Sequence, residues 1–294
     1  MTHAASGGGW AERRAVSGRI LPATGQNSSS RTRQRDLEQK LASVQKSYAE
    51  LHTALFEAAQ VHRRLCAPRL VRHGNFEIAS EIFAVRQLPG DFFTAQETAG
   101  GVVLALGDIC GKGLAAGMWT THLAALVGSH SEANRDPQVI MTSVNRDLCR
   151  VSSLMPLATL FLARLDPLSG RLDYSCAGHP PALLLRADGV MESLSEGGPL
   201  LGVVPAASFT QGRVQLHAGD VLMAYSDGVV DSVNNAGEDF GHQRLTRLFR
   251  NVGNSTADAT LFSMLGAVQD FAEGRPLEDD LSLVVVRRNT TNGE

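Results

Sequence analysis

The sequence has few cysteines, no long apolar run and little net charge, and each absence argues against a class of protein. Its 294 residues include four cysteines with no C-x-x-C pair, which disfavours a disulfide scaffold or a thiolate zinc site and suggests a reducing cytosol. No apolar run approaches the roughly 20 residues that span a membrane. A formal net charge of -3 gives no support for nucleic acid as the main partner. We therefore expect a soluble, cytoplasmic, globular protein.

The glycine-rich stretch GVVLALGDICGKGLAAGMW lacks a nucleotide-binding motif. A P-loop needs four residues between its glycines, and only three separate Gly107 from Gly111. The dinucleotide fingerprint needs two residues between its last two glycines, and three separate Gly113 from Gly117. The glycines favour a turn between a strand and a helix. Asp108, at the end of the apolar run, is costly to bury unless it is paired or binds a metal.

The chain divides into three segments. Residues 1–36 are rich in Gly, Ser and Arg, and we expect a disordered basic tail. Apolar residues then recur at spacings of four and three, which predicts a coiled-coil-like linker helix over 37–67, ended by Pro68. This seam favours a parallel homodimer through 37–66, with packing on the chain's own domain as the alternative. The seam residues are Leu37, Leu41, Val44, Tyr48, Leu51, Leu55, Ala58, His62 and Leu65.

Residues 68–290 carry short strand-like runs and helical stretches. The strand-like runs cover 76–86, 101–108, 159–166, 171–178, 181–186 and 281–288, with two more in 213–228 joined at Ala218-Gly219-Asp220. The helical stretches cover about 113–130, 136–152, 240–250 and 257–273. A hairpin is expected to turn at Pro167–Gly170. Hairpins with paired helices favour antiparallel sheets flanked by helices over a doubly wound parallel sheet.

Aspartates recur where the strand-like runs meet turns: Asp91 in LPGDFF, Asp108 in LALGDICG, Asp227 in LMAYSDGVVD, and Asp279 and Asp280 in EDDLSLVVV. Aspartates brought together from separate strands all stay ionised only if cations lie between them. Oxygen ligands without His or Cys select magnesium or manganese. Two such ions about 3.5–4 Å apart are an apparatus for phosphoester hydrolysis. Asp220, in AGDV, we interpret as a plain hairpin turn.

The order of motifs resembles a known family. PGDFF, LGDICGKGLAAGM, ATLFLARLD, CAGHPPALLL, GPLLGV, AGDVLMAYSDGVVDSVN, FGHQRL and DDLSLVVV follow one another within about residues 60–288. This order is similar to the PPM-type metal-dependent protein phosphatases, in the bacterial branch of the sporulation phosphatase SpoIIE and the stress-response regulator RsbU. The resemblance implies an α+β fold, an αββα sandwich of two mainly antiparallel sheets flanked by helices, with two divalent cations, Mn²⁺ or Mg²⁺, between the sheets.

The resemblance also implies the metal ligands, by position. Asp91 and Asp108 correspond to the ligands of the first two motifs and to the catalytic centre, with Asp108 bridging both ions. Ile109 would lend its backbone carbonyl, and Asp227 would bind the second ion. In the DD pair, Asp279 falls at the ligand position and Asp280 is the second choice.

Weaker candidates are open to a structural interpretation. Arg86 is expected either to bind the substrate phosphate or to be a solvated strand arginine. Lys112 is expected either to attract phosphate or to lie exposed in a turn. His179, in AGHPP, is expected to be a structural histidine rather than a general acid.

The implied reaction is hydrolysis of phosphoserine or phosphothreonine by a metal-activated water, with no phosphoenzyme. The resemblance suggests a STAS-domain anti-sigma-factor antagonist as the substrate, whose dephosphorylation would free a sigma factor by partner switching. Two alternatives stay open at this stage. One is a catalytically silent dimeric adaptor of the same fold, and the other is a hydrolase of small phosphoesters. Neither a nucleic-acid partner nor a membrane span is expected.

Overall fold

The structure is a computed structural model, which describes residues 26–66, 69–133, 136–151 and 157–290. Its helices are α1 (Gln26–Cys66), α2 (Leu114–Ala133), α3 (Pro137–Val151), α4 (Asp227–Val230), α5 (Gly241–Val252) and α6 (Ala257–Phe271). Its strands are β1 (Leu70–His73), β2 (Phe76–Phe83), β3 (Asp91–Thr98), β4 (Gly101–Ile109), β5 (Ala158–Leu165), β6 (Arg171–Ala177), β7 (Ala182–Leu185), β8 (Met191–Leu194), β9 (Gly197–Gly198), β10 (Gly212–Gln215), β11 (Val221–Tyr225) and β12 (Leu281–Arg288). None of the described helices is long and apolar enough to cross a membrane.

The strands form two sheets. The first sheet has the order β1-β2-β12-β11-β7-β8, and the second has the order β10-β6-β5-β4-β3 with β9 added beside β6. Every neighbouring pair is antiparallel except β6 and β9, which are parallel. The predicted antiparallel arrangement is confirmed, and so is the β5–β6 hairpin.

The two sheets pack face to face, with helices on both outer sides. The central core joins Phe93, Leu106 and Phe161 of the second sheet to Leu222 and Val284 of the first. Helices α5 and α6 cover the outer side of the first sheet, and α2 and α3 cover the outer side of the second. A strand such as β4 is therefore buried on both faces, which explains its continuous apolar run. This is the αββα sandwich that the family resemblance implied.

Helix α1 begins at Gln26 rather than at residue 37. The prediction of a disordered tail is wrong for residues 26–36, and residues 1–25 lie outside the described residues. No glycine or proline interrupts this segment, so each residue adds a hydrogen bond to a helix that is already formed. Lys40 also pairs with Asp36 at 2.9 Å, one turn apart.

The chain divides into two compact units, Met1–Thr53 and Ala54–Glu294. Within the first unit, the apolar seam of α1 is exposed: Leu37, Leu41, Val44, Tyr48 and Leu51 are each 58–69% exposed. Within the second unit, His62 and Cys66 at the end of α1 are buried. These five seam residues are therefore exposed in the described part of the chain, and the homodimer remains a prediction.

The predicted strand pair at residues 213–228 does not form a hairpin. β10 pairs with β6 in the second sheet, whereas β11 pairs with β7 and β12 in the first. The interpretation of Asp220 as a plain hairpin turn is therefore wrong, because the turn carries the chain from one sheet to the other. Strand β2 also ends at Phe83, so Arg86 lies in the loop that follows rather than in the strand.

Candidate metal centre

Asp91 and Asp108 face each other in the second sheet. β3 begins at Asp91 and β4 ends one residue after Asp108, and the two aspartates are direct partners in the antiparallel ladder. Side chains of directly opposed residues lie on the same face about 4.5–5.5 Å apart at Cβ. The register therefore places two like charges side by side, which is unfavourable unless something neutralises them.

Asp91 is 2% exposed. Burial raises the pKa of its carboxyl well above the usual value, and the neighbouring Asp108 raises it further. The hydroxyls of Ser282 and Ser226 beside it offset part of this effect. Even so, its buried Oδ2 has no hydrogen-bond partner at ordinary distance among the described residues. A buried carboxylate oxygen with no partner is the feature that a cation would satisfy.

Asp108 also lies in a strongly negative environment. Burial raises the pKa of its carboxyl to about 6, and the charges of Asp227 and Asp279 add to the increase. Gly90 lies against this residue. A Cβ on Gly90 would lie 3.0 Å from the carbonyl oxygen of Ile109, 3.1 Å from that of Gly111 and 3.3 Å from Oδ1 of Asp108. Only glycine leaves these three oxygens uncovered, which explains the glycine of the PGDFF motif.

Asp227 reaches the same place from the first sheet. It follows β11 and is the first residue of the short helix α4. Burial raises its pKa, followed by the charges of Asp279 and Asp231. Gly228 allows this approach, because a Cβ there would lie 2.0 Å from the carbonyl oxygen of Asp280. The aspartate-glycine pair therefore packs directly against the backbone of the DD pair.

The two aspartates of the DD pair have different surroundings. Asp280 is buried, and its Oδ1 and Oδ2 accept hydrogen bonds from the backbone N–H groups of Val85 (2.7 Å) and Gly90 (2.6 Å). The Asp279 side chain is half exposed, and its Oδ2 lies 3.1 Å from Nζ of Lys112. Asp280 thus holds the loop that leads into Asp91, and Asp279 faces the open side of the site.

The side chains alone do not form a ready-made metal cluster. Among the described residues, no group of three or more His, Cys, Asp or Glu side chains is arranged to hold a metal ion. The donor set still fits a hard cation, because the unpaired oxygen of Asp91 and the carbonyl oxygens near Gly90 complement the carboxylates.

The two candidate substrate residues border this centre. Arg86 is exposed, and its Cδ lies 3.4 Å from the position that a Cβ on Gly113 would take, with Nη1 at 3.9 Å. Arg86 has no hydrogen-bond or ion-pair partner within the described part of the chain. Lys112, in contrast, pairs with Asp279 and donates to the carbonyl oxygen of Glu278. The guanidinium is therefore free to meet a phosphate, whereas the ammonium already neutralises one carboxylate.

Two of the candidate metal ligands, Asp108 and Asp227, line a surface cleft, which we call the aspartate cleft. Its walls include Asp108, Asp227, Asp231, His179 and His242. The sequence predicted the aspartates as site residues but not His242, although His242 lies in the FGHQRL motif that carries the resemblance.

His179 is buried in the wall of the cleft. Its Nδ1 lies 2.8 Å from Oγ1 of Thr159, which is the ladder partner of Asp108. Burial lowers the pKa of its imidazole to about 3, so the ring is neutral at physiological pH. These surroundings agree with the structural interpretation of His179.

Asp220 is buried away from the aspartate cleft. Burial acts to raise its pKa, but the backbone N–H groups of His217 and Ala187 and the guanidinium of Arg186 lower it overall. The Arg186 pair is 2.8 Å long. Asp220 is thus a paired structural aspartate, in contrast to the crowded aspartates of the candidate centre.

Comparisons with known proteins identify the family. The model of the family described as "Stage II sporulation protein E (SpoIIE)" matches residues 98–289, more than half of the chain. The matched segment contains Asp108, Asp227, Asp279 and Asp280, and Asp91 lies just before it.

Two curated relatives resemble the chain over most of its length. Protein IcfG of Synechocystis is 27% identical over 73% of this chain, and the match covers 38% of IcfG. Phosphoserine phosphatase RsbU of Bacillus subtilis is 24% identical over 81% of this chain and 71% of RsbU. The chain therefore spans well under half the length of IcfG.

Solved structures share the fold. The SiaA PP2C domain of Pseudomonas aeruginosa has a TM-score of 0.71 and 18% identity, over 82% of this chain and 98% of that domain. The catalytic domain of the serine/threonine protein phosphatase PstP, solved in complex with two manganese ions, has a TM-score of 0.53 and 17% identity, over 73% of this chain and 99% of that domain. This chain has the PP2C phosphatase fold and belongs to the SpoIIE family.

Proposed function

We propose that this chain is an active, metal-dependent protein phosphatase that hydrolyses phosphoserine or phosphothreonine on a regulatory protein. The observation that carries the proposal is the meeting of aspartates from both sheets around the unpaired, buried oxygen of Asp91. Four separate segments of the chain supply these aspartates. Such an arrangement destabilises the metal-free protein, so a function that needs the charges accounts for it.

The ligand set of the proposed centre is Asp91, Asp108, the carbonyl oxygen of Ile109, Asp227 and Asp279. Two divalent cations, Mn²⁺ or Mg²⁺, fit these oxygen donors. When bound, such ions supply positive charge that polarises the phosphoryl oxygens and lowers the pKa of the attacking water. Asp280 supports the ligands by holding the loop of Gly90, because both of its oxygens accept backbone hydrogen bonds.

Arg86 has the clearest role in substrate binding. Its guanidinium is free and lies over the loop that follows Asp108. A guanidinium forms paired, charge-assisted hydrogen bonds with phosphate oxygens. Arg86 would therefore hold the phosphate in line for attack by water, and no phosphoenzyme is formed. Lys112, which lines a neighbouring cleft, would contribute positive charge beside the centre while it stays paired with Asp279.

The proposed substrate is a phosphorylated STAS-domain protein of the anti-sigma-factor antagonist type. Support comes from family membership and from the relative RsbU, which is named a phosphoserine phosphatase. Such a substrate is a cytoplasmic protein, so we place this chain in the cytoplasm. Dephosphorylation would release a sigma factor by partner switching.

The proposed assembly is a parallel homodimer through residues 37–66. Its support is the exposed apolar seam of α1, from Leu37 to Leu51. An apolar stripe at heptad spacing is stable in water when a second helix covers it.

Hydrolysis of three substrates tests the proposed function. The manganese-loaded chain is given a phosphoserine STAS-domain protein, a phosphoserine peptide of unrelated sequence, and p-nitrophenyl phosphate. We expect the STAS protein to have the highest kcat/KM. Turnover of the small ester without either phosphoserine substrate would favour the small-phosphoester hydrolase. Binding of the STAS protein with no turnover of any substrate would favour the silent adaptor.

A further inference from the structure

The aspartate cleft contains one exposed histidine that the proposed ligand set leaves without a role. His242 is the second residue of α5, and its side chain lines the cleft together with Asp108 and Asp227. The other histidine of the cleft, His179, is buried and neutral. His242 is therefore the histidine of the cleft that a substrate can reach from solvent.

The position of His242 is fixed by its neighbours. Phe240, two residues earlier, is buried and packs edge-to-face against Phe271 at 5.4 Å. Gly241 between them has a φ of 73°, a left-handed conformation that favours glycine. This turn directs the chain from the buried phenylalanine to the exposed start of α5. It therefore fixes the backbone position of His242.

The imidazole also contacts the last residue of β11, the strand that precedes the candidate metal ligand Asp227. Its Nδ1 lies 3.2 Å from the hydroxyl oxygen of Tyr225, and the two rings meet edge-to-face at 6.1 Å. Tyr225 is buried, ends β11 and precedes Asp227 by two residues. A contact at Nδ1 orients the ring and leaves Nε2 for another partner. The same segment therefore positions both Asp227 and the imidazole.

We propose that His242 is the general acid of the phosphatase reaction, donating a proton to the seryl or threonyl oxygen as it leaves phosphorus. This inference rests on the proposed function. A water oxygen forms the new bond to phosphorus after losing a proton to solvent, and the bond from phosphorus to the seryl oxygen breaks. The departing oxygen takes the proton from Nε2 of the imidazolium. The neutral imidazole regains its proton from solvent, and the products are serine and inorganic phosphate.

The other groups around the cleft suit this role less well. His179 is neutral at physiological pH, because burial lowers its pKa to about 3. The carboxyl groups of the cleft are needed in their ionised form to bind cations. Lys112 lines a neighbouring cleft and is paired with Asp279. His242 combines exposure to solvent with a ring nitrogen, Nε2, that the Tyr225 contact leaves open to a substrate.

Leaving-group dependence separates a general acid from a structural residue. A serine alkoxide is a poor leaving group and needs a proton, whereas p-nitrophenolate departs without one. In the manganese-loaded enzyme we expect His242→Gln to lower kcat on a phosphoserine peptide by about 100-fold or more. Its kcat on p-nitrophenyl phosphate should stay close to that of the wild type. His217→Gln, at an exposed histidine outside the cleft, is the matched control and should change neither rate.

Chemical rescue and metal binding complete the test. Imidazole added to His242→Ala should restore part of the phosphoserine rate, and the manganese affinity of both His242 variants, measured by calorimetry, should match that of the wild type. Equal losses on both substrates, or no loss on the peptide, would overturn the assignment. Wild-type turnover of neither substrate would overturn the proposed function, and this inference with it.

Discussion

Replacing Asp108 by Asn is expected to stabilise the metal-free protein. The pKa of this carboxyl rises from an ordinary 3.8 to about 6 in the folded chain, through burial and the charges of Asp227 and Asp279. Below pH 3.8 the group is protonated in both the folded and the unfolded state, and the shift has no effect on stability. Between pH 3.8 and about 6 the unfolded state releases the proton first, so stability falls as pH rises. Above about pH 6 the full decrease in the free energy of unfolding remains.

The size of the effect follows from the two pKa values. Their difference corresponds to about 3 kcal/mol of unfolding free energy at neutral pH. Asn has a similar shape without the charge, so the variant recovers most of this energy. A domain of this size changes its Tm by roughly 2–4 °C per kcal/mol, which predicts a Tm increase of roughly 6–12 °C in the presence of a chelator. Mn²⁺ at about 100 times its Kd would stabilise the wild type by about 2.7 kcal/mol.

Thermal unfolding at neutral pH, with chelator and with Mn²⁺, measures both effects. The Tm of the wild type should rise when Mn²⁺ is added. Asp108→Asn should have a higher Tm than the wild type in chelator, and Mn²⁺ should raise it little. Asp220→Asn is the matched control with the opposite sign, because Asp220 has a lowered pKa and pairs with Arg186. That variant should unfold at a lower temperature under both conditions. A metal-free Asp108→Asn protein that is less stable than the wild type would refute the reasoning.

Three further predictions concern other parts of the site and the linker helix. Asp280→Asn should lower the free energy of unfolding by about 2 kcal/mol in denaturant melts, since it weakens the hydrogen bonds from the backbone N–H groups of Val85 and Gly90. Asp279→Asn should mainly weaken manganese binding in calorimetry, and the reverse pattern would contradict the roles given to the pair. Arg86→Ala should raise KM for a phosphoserine peptide by about tenfold through lost charge-assisted hydrogen bonds, and an unchanged KM in steady-state kinetics would remove it from the substrate site. Joint replacement of Leu51 and Leu55 by Asp should halve the mass seen by sedimentation and alter turnover, and a wild-type chain that sediments as a monomer would exclude the dimer.

The fold was largely predictable because its signals are local or are carried by ordered motifs. The apolar run of β4 and the glycines after Asp108 indicated a buried strand followed by a turn and a helix, and the β5–β6 hairpin followed from the turn residues between two strands. The pairing of β10 and β11 was not predictable in the same way. Their sequences indicate strands, but the choice of partner depends on distant β6 and β12.

The candidate site was likewise predictable only in part. Charge type and position relative to strand ends identified the aspartates as candidate ligands, since a carboxylate is costly to bury unless it is paired or binds a metal. Sequence could not distinguish Asp279 from Asp280, because the difference lies in which backbone groups each side chain meets. It also could not place His242 in the cleft, since that position depends on the packing of Phe240 and the contact with Tyr225.

The most direct test of the central claim is hydrolysis of a chromogenic phosphate monoester by the purified chain, with Mn²⁺, with Mg²⁺ and with a chelator, beside Asp108→Asn. The account predicts turnover that depends on the added metal, stops with the chelator and is lost in the variant. Turnover that survives the chelator, or an Asp108→Asn variant that keeps the wild-type rate, would contradict it.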